Sequence, residues 1–154
     1  MYILESQIKT FVDKNYRTLS DIEYTYLAGY SLAGLAVLYA LHTTHFALSY
    51  ASISGSLWFP KWLDYAQENT LQQMSEDCPT RIYLSLGKTE GSTANRLMAK
   101  VDDCTKKTVA LFKEQLATLG QNAGDVFFEY NDGGHMSNVP ERTARALSYL
   151  LKKE

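Results

Sequence analysis

The chain predicts an α/β fold, a parallel sheet of about four strands with helices on both faces. Strand-like runs rich in aromatic, β-branched and other apolar residues alternate with helix-period segments along its whole length. A tyrosine-rich extended segment passes through a turn of small residues straight into a helix, the order strand, sharp turn, helix. No internal repeat, low-complexity segment or linker divides the 154 residues, which suffice for a single core.

The elements follow in order. Leu4, Ile8, Phe11 and Val12 recur at helical spacing and predict an amphipathic helix over 4–16. Residues 24–28, Tyr-Thr-Tyr-Leu-Ala, read as a strand, and the apolar, strong helix formers of 31–42 as the helix after it. A strand at 48–52 leads to a loop carrying Trp58, then to a helix over 62–75. A buried strand is expected at 82–86, a long helix over 94–119, a strand at 126–130 and a last helix over 141–151. Between 120 and 124, two glycines and Asn122 punctuate helix and strand as a loop, not a domain boundary.

Composition excludes several functions. The net charge of -2 and the lack of any basic run argue against nucleic acid as a partner, which leaves small molecules. No apolar run is long enough for a bilayer, and the opening residues lack the basic start and apolar centre of a signal peptide, so no membrane partner and a cytoplasmic location are expected. Cys78 and Cys104 have no metal-ligand spacing and read as reduced, inert thiols. His42 and His45 share a helix face, but no nearby carboxylate or cysteine completes a site, so they read as capping or surface groups. No metal and no cofactor are implied.

Chemistry concentrates in three places. In Gly29-Tyr30-Ser31-Leu32-Ala33-Gly34 a serine stands at the apex of the strand-to-helix turn, flanked by small residues that keep strand and helix from clashing. This is the arrangement of a nucleophile elbow, with Ala33 where the usual pattern has glycine. His135 lies in Asn131-Asp132-Gly133-Gly134-His135-Met136-Ser137, directly after a strand, where a histidine can reach a serine at the same sheet edge. Glu90 lies in the loop after Arg81-Ile82-Tyr83-Leu84-Ser85-Leu86-Gly87 and is placed to orient that histidine. Asp132 is the alternative carboxylate, and a serine–histidine dyad without an acid is the other. Asp102 and Asp103 read as the solvated face of a helix.

These residues resemble the esterases related to esterase D and to ferric-siderophore (enterochelin-type) esterases, within the α/β-hydrolase superfamily. The resemblance is carried by Ala28-Gly29-Tyr30-Ser31-Leu32-Ala33-Gly34-Leu35, by Ser52-Ile53-Ser54-Gly55-Ser56-Leu57-Trp58-Phe59, by Tyr83-Leu84-Ser85-Leu86-Gly87 with Glu90, and by Gly134-His135. It covers nearly the whole chain and implies Ser31 as nucleophile, His135 as general base and Glu90 as the acid. Members of this family are considerably longer. The resemblance therefore implies that residues 1–154 are a single domain corresponding to the C-terminal half of an α/β-hydrolase, a truncated form of the fold. The loop that normally supplies one oxyanion donor would lie in the other half, leaving the N–H of Leu32 as the donor beside the nucleophile.

The expected activity is carboxylic-ester hydrolysis of a small molecule through an acyl-enzyme on Ser31. Tyr30, Trp58 and Phe59 are candidate substrate contacts, although the last two could equally cover the helix behind them. The alternative is a catalytically weak or silent half-domain acting by self-association or partner binding. It is motivated by the oxyanion donor, whose loss typically costs about 100- to 1,000-fold in turnover. A homo-oligomer is expected either way, through an exposed edge strand at 24–28 or through sheet faces left bare.

Overall fold

The computed structural model describes residues 1–75 and 78–152. A π-helical stretch, Leu4–Lys9, runs into α1, Thr10–Asn15. Then come β1, Tyr26–Tyr30; α2, Leu32–Thr43; β2, Ser49–Ile53; α3, Trp62–Glu68; β3, Thr80–Gly87; α4, Val101–Leu119; β4, Gly124–Asn131; and α5, Val139–Leu150. The strands form one four-stranded parallel sheet in the order β1-β2-β3-β4. The predicted α/β class and strand number therefore hold.

Alternation along the strands divides the core in two, because successive side chains of a strand face opposite sides of the sheet. Tyr50, Ile82, Leu84 and Val126 face α2, α3 and α4, packing with Leu38, Leu41, Trp62, Phe112 and Leu116. Ala51, Ile53 and Tyr83 face the other way, against Ala146 and Leu150 of α5. β2 is buried at every position, as a central parallel strand covered on both faces should be.

Most element ends differ from the sequence reading by one or two residues, the expected 4–16 helix is split into the π-helical stretch and α1, and three shifts have a local cause. Tyr24 belongs to a 3-10 turn, Ile22–Tyr24, in which the N–H groups of Tyr24 and Thr25 donate to the carbonyls of Asp21 and Ile22, so β1 begins two residues later than expected. α3 ends at Glu68, with Asn69 capping back onto the carbonyl of Tyr65. The start of α4 is delayed to Val101 because Asn95 Oδ1 accepts the N–H groups of Leu97 and Met98 and holds a separate turn ahead of it. Among the described residues no helix is long and apolar enough to cross a membrane.

The register sets up the site. Tyr30 pairs with Ile53, Ile53 with Ser85, and Gly87 with Asn131, so the carboxyl ends of the four strands lie along one edge. The segments leaving that edge carry Ser31, Ser54, Glu90 and His135. In parallel α/β sheets this is the edge where ligands bind.

His42, expected from sequence to be a capping or surface group, is instead packed among aromatic rings and provides a pH test of the core. Its ring lies edge-on to Trp62 at 6.0 Å and to Tyr65 at 5.8 Å, and tilted against Phe112 at 5.5 Å. Burial, opposed in part by the Asn69 backbone, pushes its pKa down to about 4. The unfolded chain, with an ordinary histidine near 6.5, then binds the extra proton between about pH 4 and 6.5, so stability rises with pH through that window and is lost on acidification. His42→Phe is expected to remove roughly 2 kcal/mol of this acid sensitivity between pH 7 and pH 4.5. Urea denaturation of both proteins at pH 7 and pH 4.5 measures it, and equal pH dependence would contradict the assignment.

Candidate active site

Ser31 sits at the turn between β1 and α2 with φ 59° and ψ -121°. A non-glycine residue there stores strain of order 1–3 kcal/mol, which the surroundings must hold in place. They do so through the backbone. The Ser31 N–H donates to Ile53 O at 3.0 Å, and its carbonyl accepts from the N–H groups of Leu35 at 3.3 Å and Ser56 at 3.0 Å. A Cβ on Gly29 would collide with the carbonyl oxygen of Ala33. One on Gly34 would lie 2.9 Å from Ser52 Oγ and 3.0 Å from Gly55 Cα. Ala33 itself is exposed, which explains why its extra methyl is tolerated while Gly34, the next residue, makes the close approach.

His135 lies between β4 and α5, with its Nε2 3.0 Å from Ser31 Oγ and its Nδ1 2.8 Å from Glu90 Oε2. Its carbonyl accepts the Tyr30 hydroxyl, and the Tyr30 ring packs edge-on to the imidazole at 5.5 Å. The adjoining backbone is tied to the loop after β3 by the Thr89 N–H donating to Gly133 O at 3.1 Å. The loop geometry also requires Gly87, where a Cβ would stand 2.6 Å from Gly133 O and 2.8 Å from Glu90 Oε1.

The Glu90 side chain is only 3% exposed. Its Oε1 accepts from Ser54 Oγ at 2.5 Å, from the Gly87 N–H at 2.6 Å and from Arg142 Nη2 at 3.0 Å, which leaves Oε2 to the histidine. Burial is the largest single influence on this carboxyl and raises its pKa. The hydrogen bonds from Ser54, His135, Gly87 and Arg142 together outweigh it and hold the group below the ordinary glutamate value. An ionised Glu90 can only accept, so His135 Nδ1 carries the proton and Nε2 presents its lone pair to the serine hydroxyl.

The three residues expected from sequence are thus brought together in one hydrogen-bonded chain. Asp132 is not part of it: the side chain is 84% exposed and pairs with Lys88 at 2.5 Å. Leu32 is the first residue of α2, so its N–H has no carbonyl four residues back within the helix. Tyr30 is at the site, with its hydroxyl engaged by His135 and Arg142. Phe59 lines an apolar pocket of about 380 Å³ beside the Ser31 turn with Leu32, Leu35, Tyr39 and Trp62, whereas Trp58 is half-buried and outside that lining. Neither this pocket nor a larger groove of about 920 Å³, walled by Leu4, Ile8, Tyr24 and Tyr26, is lined by Ser31, Glu90 or His135, but the smaller one includes Leu32, the residue directly after the serine, and so is the better match to the chemistry. Among the described residues no cluster of histidine, cysteine and carboxylates could hold a metal ion.

Sequence reasoning missed Ser54 and Arg142. A signal for Arg142 was present, since it falls in step with Ala146 and Leu150 on the buried stripe of α5.

A family model described as "Putative esterase" matches residues 2–138. No curated protein matches the chain. Among solved structures, similarity extends to an enterobactin and salmochelin hydrolase, IroE, at 21% identity and a TM-score of 0.65, covering 97% of this chain and 55% of that one. The siderophore hydrolase EstB from Aspergillus nidulans matches at 19% identity and a TM-score of 0.63, over 96% of this chain and 55% of its own. A ferulic acid esterase matches at 14% identity and a TM-score of 0.61, over 97% and 58%. At these identities the likeness is one of fold, and the chain spans little more than half the length of each of these three structures.

Proposed function

The chain belongs to the Putative esterase family, and from that membership we propose that it is a serine carboxylic-ester hydrolase, with Ser31 as nucleophile, His135 as general base and Glu90 as the acid. The observation that carries this reading is the continuous chain from Ser31 Oγ through His135 Nε2 and Nδ1 to Glu90 Oε2, with links of 3.0 and 2.8 Å. Ser31 Oγ attacks the ester carbonyl as Nε2 takes its proton, and the Leu32 N–H donates to the developing oxyanion. The tetrahedral intermediate collapses, the alcohol leaves with the proton from His135, and water then releases the acid from the acyl-enzyme by the same route. The pocket beside Leu32 and Phe59 suits an apolar acyl or aryl group. The substrate is therefore proposed as a small-molecule ester, the bond type named in the family description and in the name of the similar ferulic acid esterase. Turnover of a short-chain p-nitrophenyl ester by the wild type and by Ser31→Ala tests the proposal.

A second reading, association through the sheet edge with little or no catalysis, is supported by the position of β1. This strand pairs with β2 alone among the described strands, and its segment, Tyr-Leu-Ala-Gly-Tyr, has neither the proline nor the lysine that would discourage edge pairing. A two-fold dimer in which β1 edges meet antiparallel would join the two sheets into one and leave neither β1 edge unpaired. Sedimentation equilibrium should then show dimers at micromolar concentration. A monomer whose outward-facing β1 amides exchange freely would contradict edge pairing.

A further inference from the structure

Arg142 is 1% exposed and is among the largest side chains the fold buries completely. A guanidinium does not give up its proton, so α5 places a permanent cation inside the protein, which is costly unless the cation is paired and hydrogen-bonded. Its Nη2 donates to Glu90 Oε1 at 3.0 Å and also to Ser54 Oγ. Its Nη1 donates to Tyr30 Oη at 3.0 Å and reaches Gly134 O at 3.4 Å. One side chain thus ties together segments at the carboxyl ends of all four strands.

The two groups that hold His135 both rest on this cation. The ring is oriented by Glu90, whose Oε1 is taken by Arg142, Ser54 and the Gly87 N–H so that Oε2 faces Nδ1. The backbone is held by Tyr30, whose hydroxyl donates to His135 O while accepting from Arg142. We propose that Arg142 is the positioning residue of this site, fixing the charge and orientation of Glu90 and the loop of His135 while bonding to neither Ser31 nor the imidazole. The proposal rests on the hydrolase reading above for its effect on turnover, but not for its effect on Glu90. A buried ion pair is weak evidence of a stabilising role, because a well-packed apolar pair often serves as well. What an apolar pair could not do is keep a buried carboxylate ionised beside a general base.

The groups facing the Glu90 carboxyl are Ser54 from the turn after β2, the Gly87 N–H at the end of β3, His135 from the loop after β4 and Arg142 from α5. Tyr30 of β1 reaches it through Arg142, and the nearby Lys88–Asp132 pair is exposed. The test combines a carbon-13 NMR titration of the Glu90 carboxyl with the pH profile of ester turnover, in wild type, Arg142→Gln and Arg142→Lys. In the wild type the carboxyl is expected to titrate below the ordinary glutamate value of about 4.3. Arg142→Gln should raise that midpoint and move the acid limb of kcat upward with it, while Arg142→Lys restores both toward the wild type. A wild-type midpoint at or above the ordinary value would overturn the proposal, and that measurement needs no variant to fold. So would an Arg142→Gln protein whose midpoint and acid limb stay in place while only its folded fraction falls. Absence of Ser31-dependent turnover in the wild type would instead sink the hydrolase reading, and the titration would still decide what Arg142 does to Glu90.

Discussion

Ser31→Ala and His135→Ala are each expected to bring ester turnover down to background, a loss of up to about 10⁶-fold. The two losses should not add. Oγ and Nε2 lie 3.0 Å apart and act as one device, so once the nucleophile is gone the base has nothing to deprotonate. The double variant should therefore be no slower than either single one, and steady-state rates for the three proteins on one p-nitrophenyl ester check this. The fold should survive Ser31→Ala, because the turn is held by backbone hydrogen bonds to Ile53, Leu35 and Ser56 that the side chain does not make.

Glu90→Gln should be the next most damaging change, by up to about 10⁴-fold in kcat. The reason lies in the donors crowding one side of the carboxyl. Ser54, the Gly87 N–H and Arg142 all donate to Oε1, so a glutamine would put its carbonyl oxygen there and its NH₂ toward His135. Nδ1 would then have to accept, the ring proton would move to Nε2, and the imidazole could no longer take the serine proton. The substitution also leaves Arg142 without its counter-charge at 1% exposure, which costs about 3–5 kcal/mol, so folding is to be checked by circular dichroism alongside the rates. Glu129→Gln is the control. Its carboxylate accepts from Tyr83 at 2.6 Å and lies 3.6 Å from Arg145, outside the Ser31–His135–Glu90 chain, and kcat should change little.

Much of this site was legible in the sequence because its parts are local. A strand, a turn of small residues and a helix define the Ser31 geometry within a few positions, and a glycine-rich loop after a strand gives His135 its place. Glu90 was readable as a loop carboxylate after a strand, but its surroundings were not, since they come from residues 36 and 52 positions away, Ser54 and Arg142. Within Pro140-Glu141-Arg142-Thr143 an arginine looks like part of a solvated helix start. Only packing of α5 against the sheet turns it inward, so that a position on the apolar stripe with Ala146 and Leu150 holds a charge. The element boundaries that moved were likewise set by short-range bonds that periodicity does not register, such as Asn95 capping the turn before α4.

The central claim is that Ser31 is an activated nucleophile. A fluorophosphonate probe, with mass-spectrometric location of the adduct, tests it without any assumption about substrate. A single adduct on Ser31 is expected in the wild type, strongly slowed in His135→Ala and absent from Ser31→Ala. Equal labelling of the wild type and Ser31→Ala, or an adduct on another residue, would contradict it.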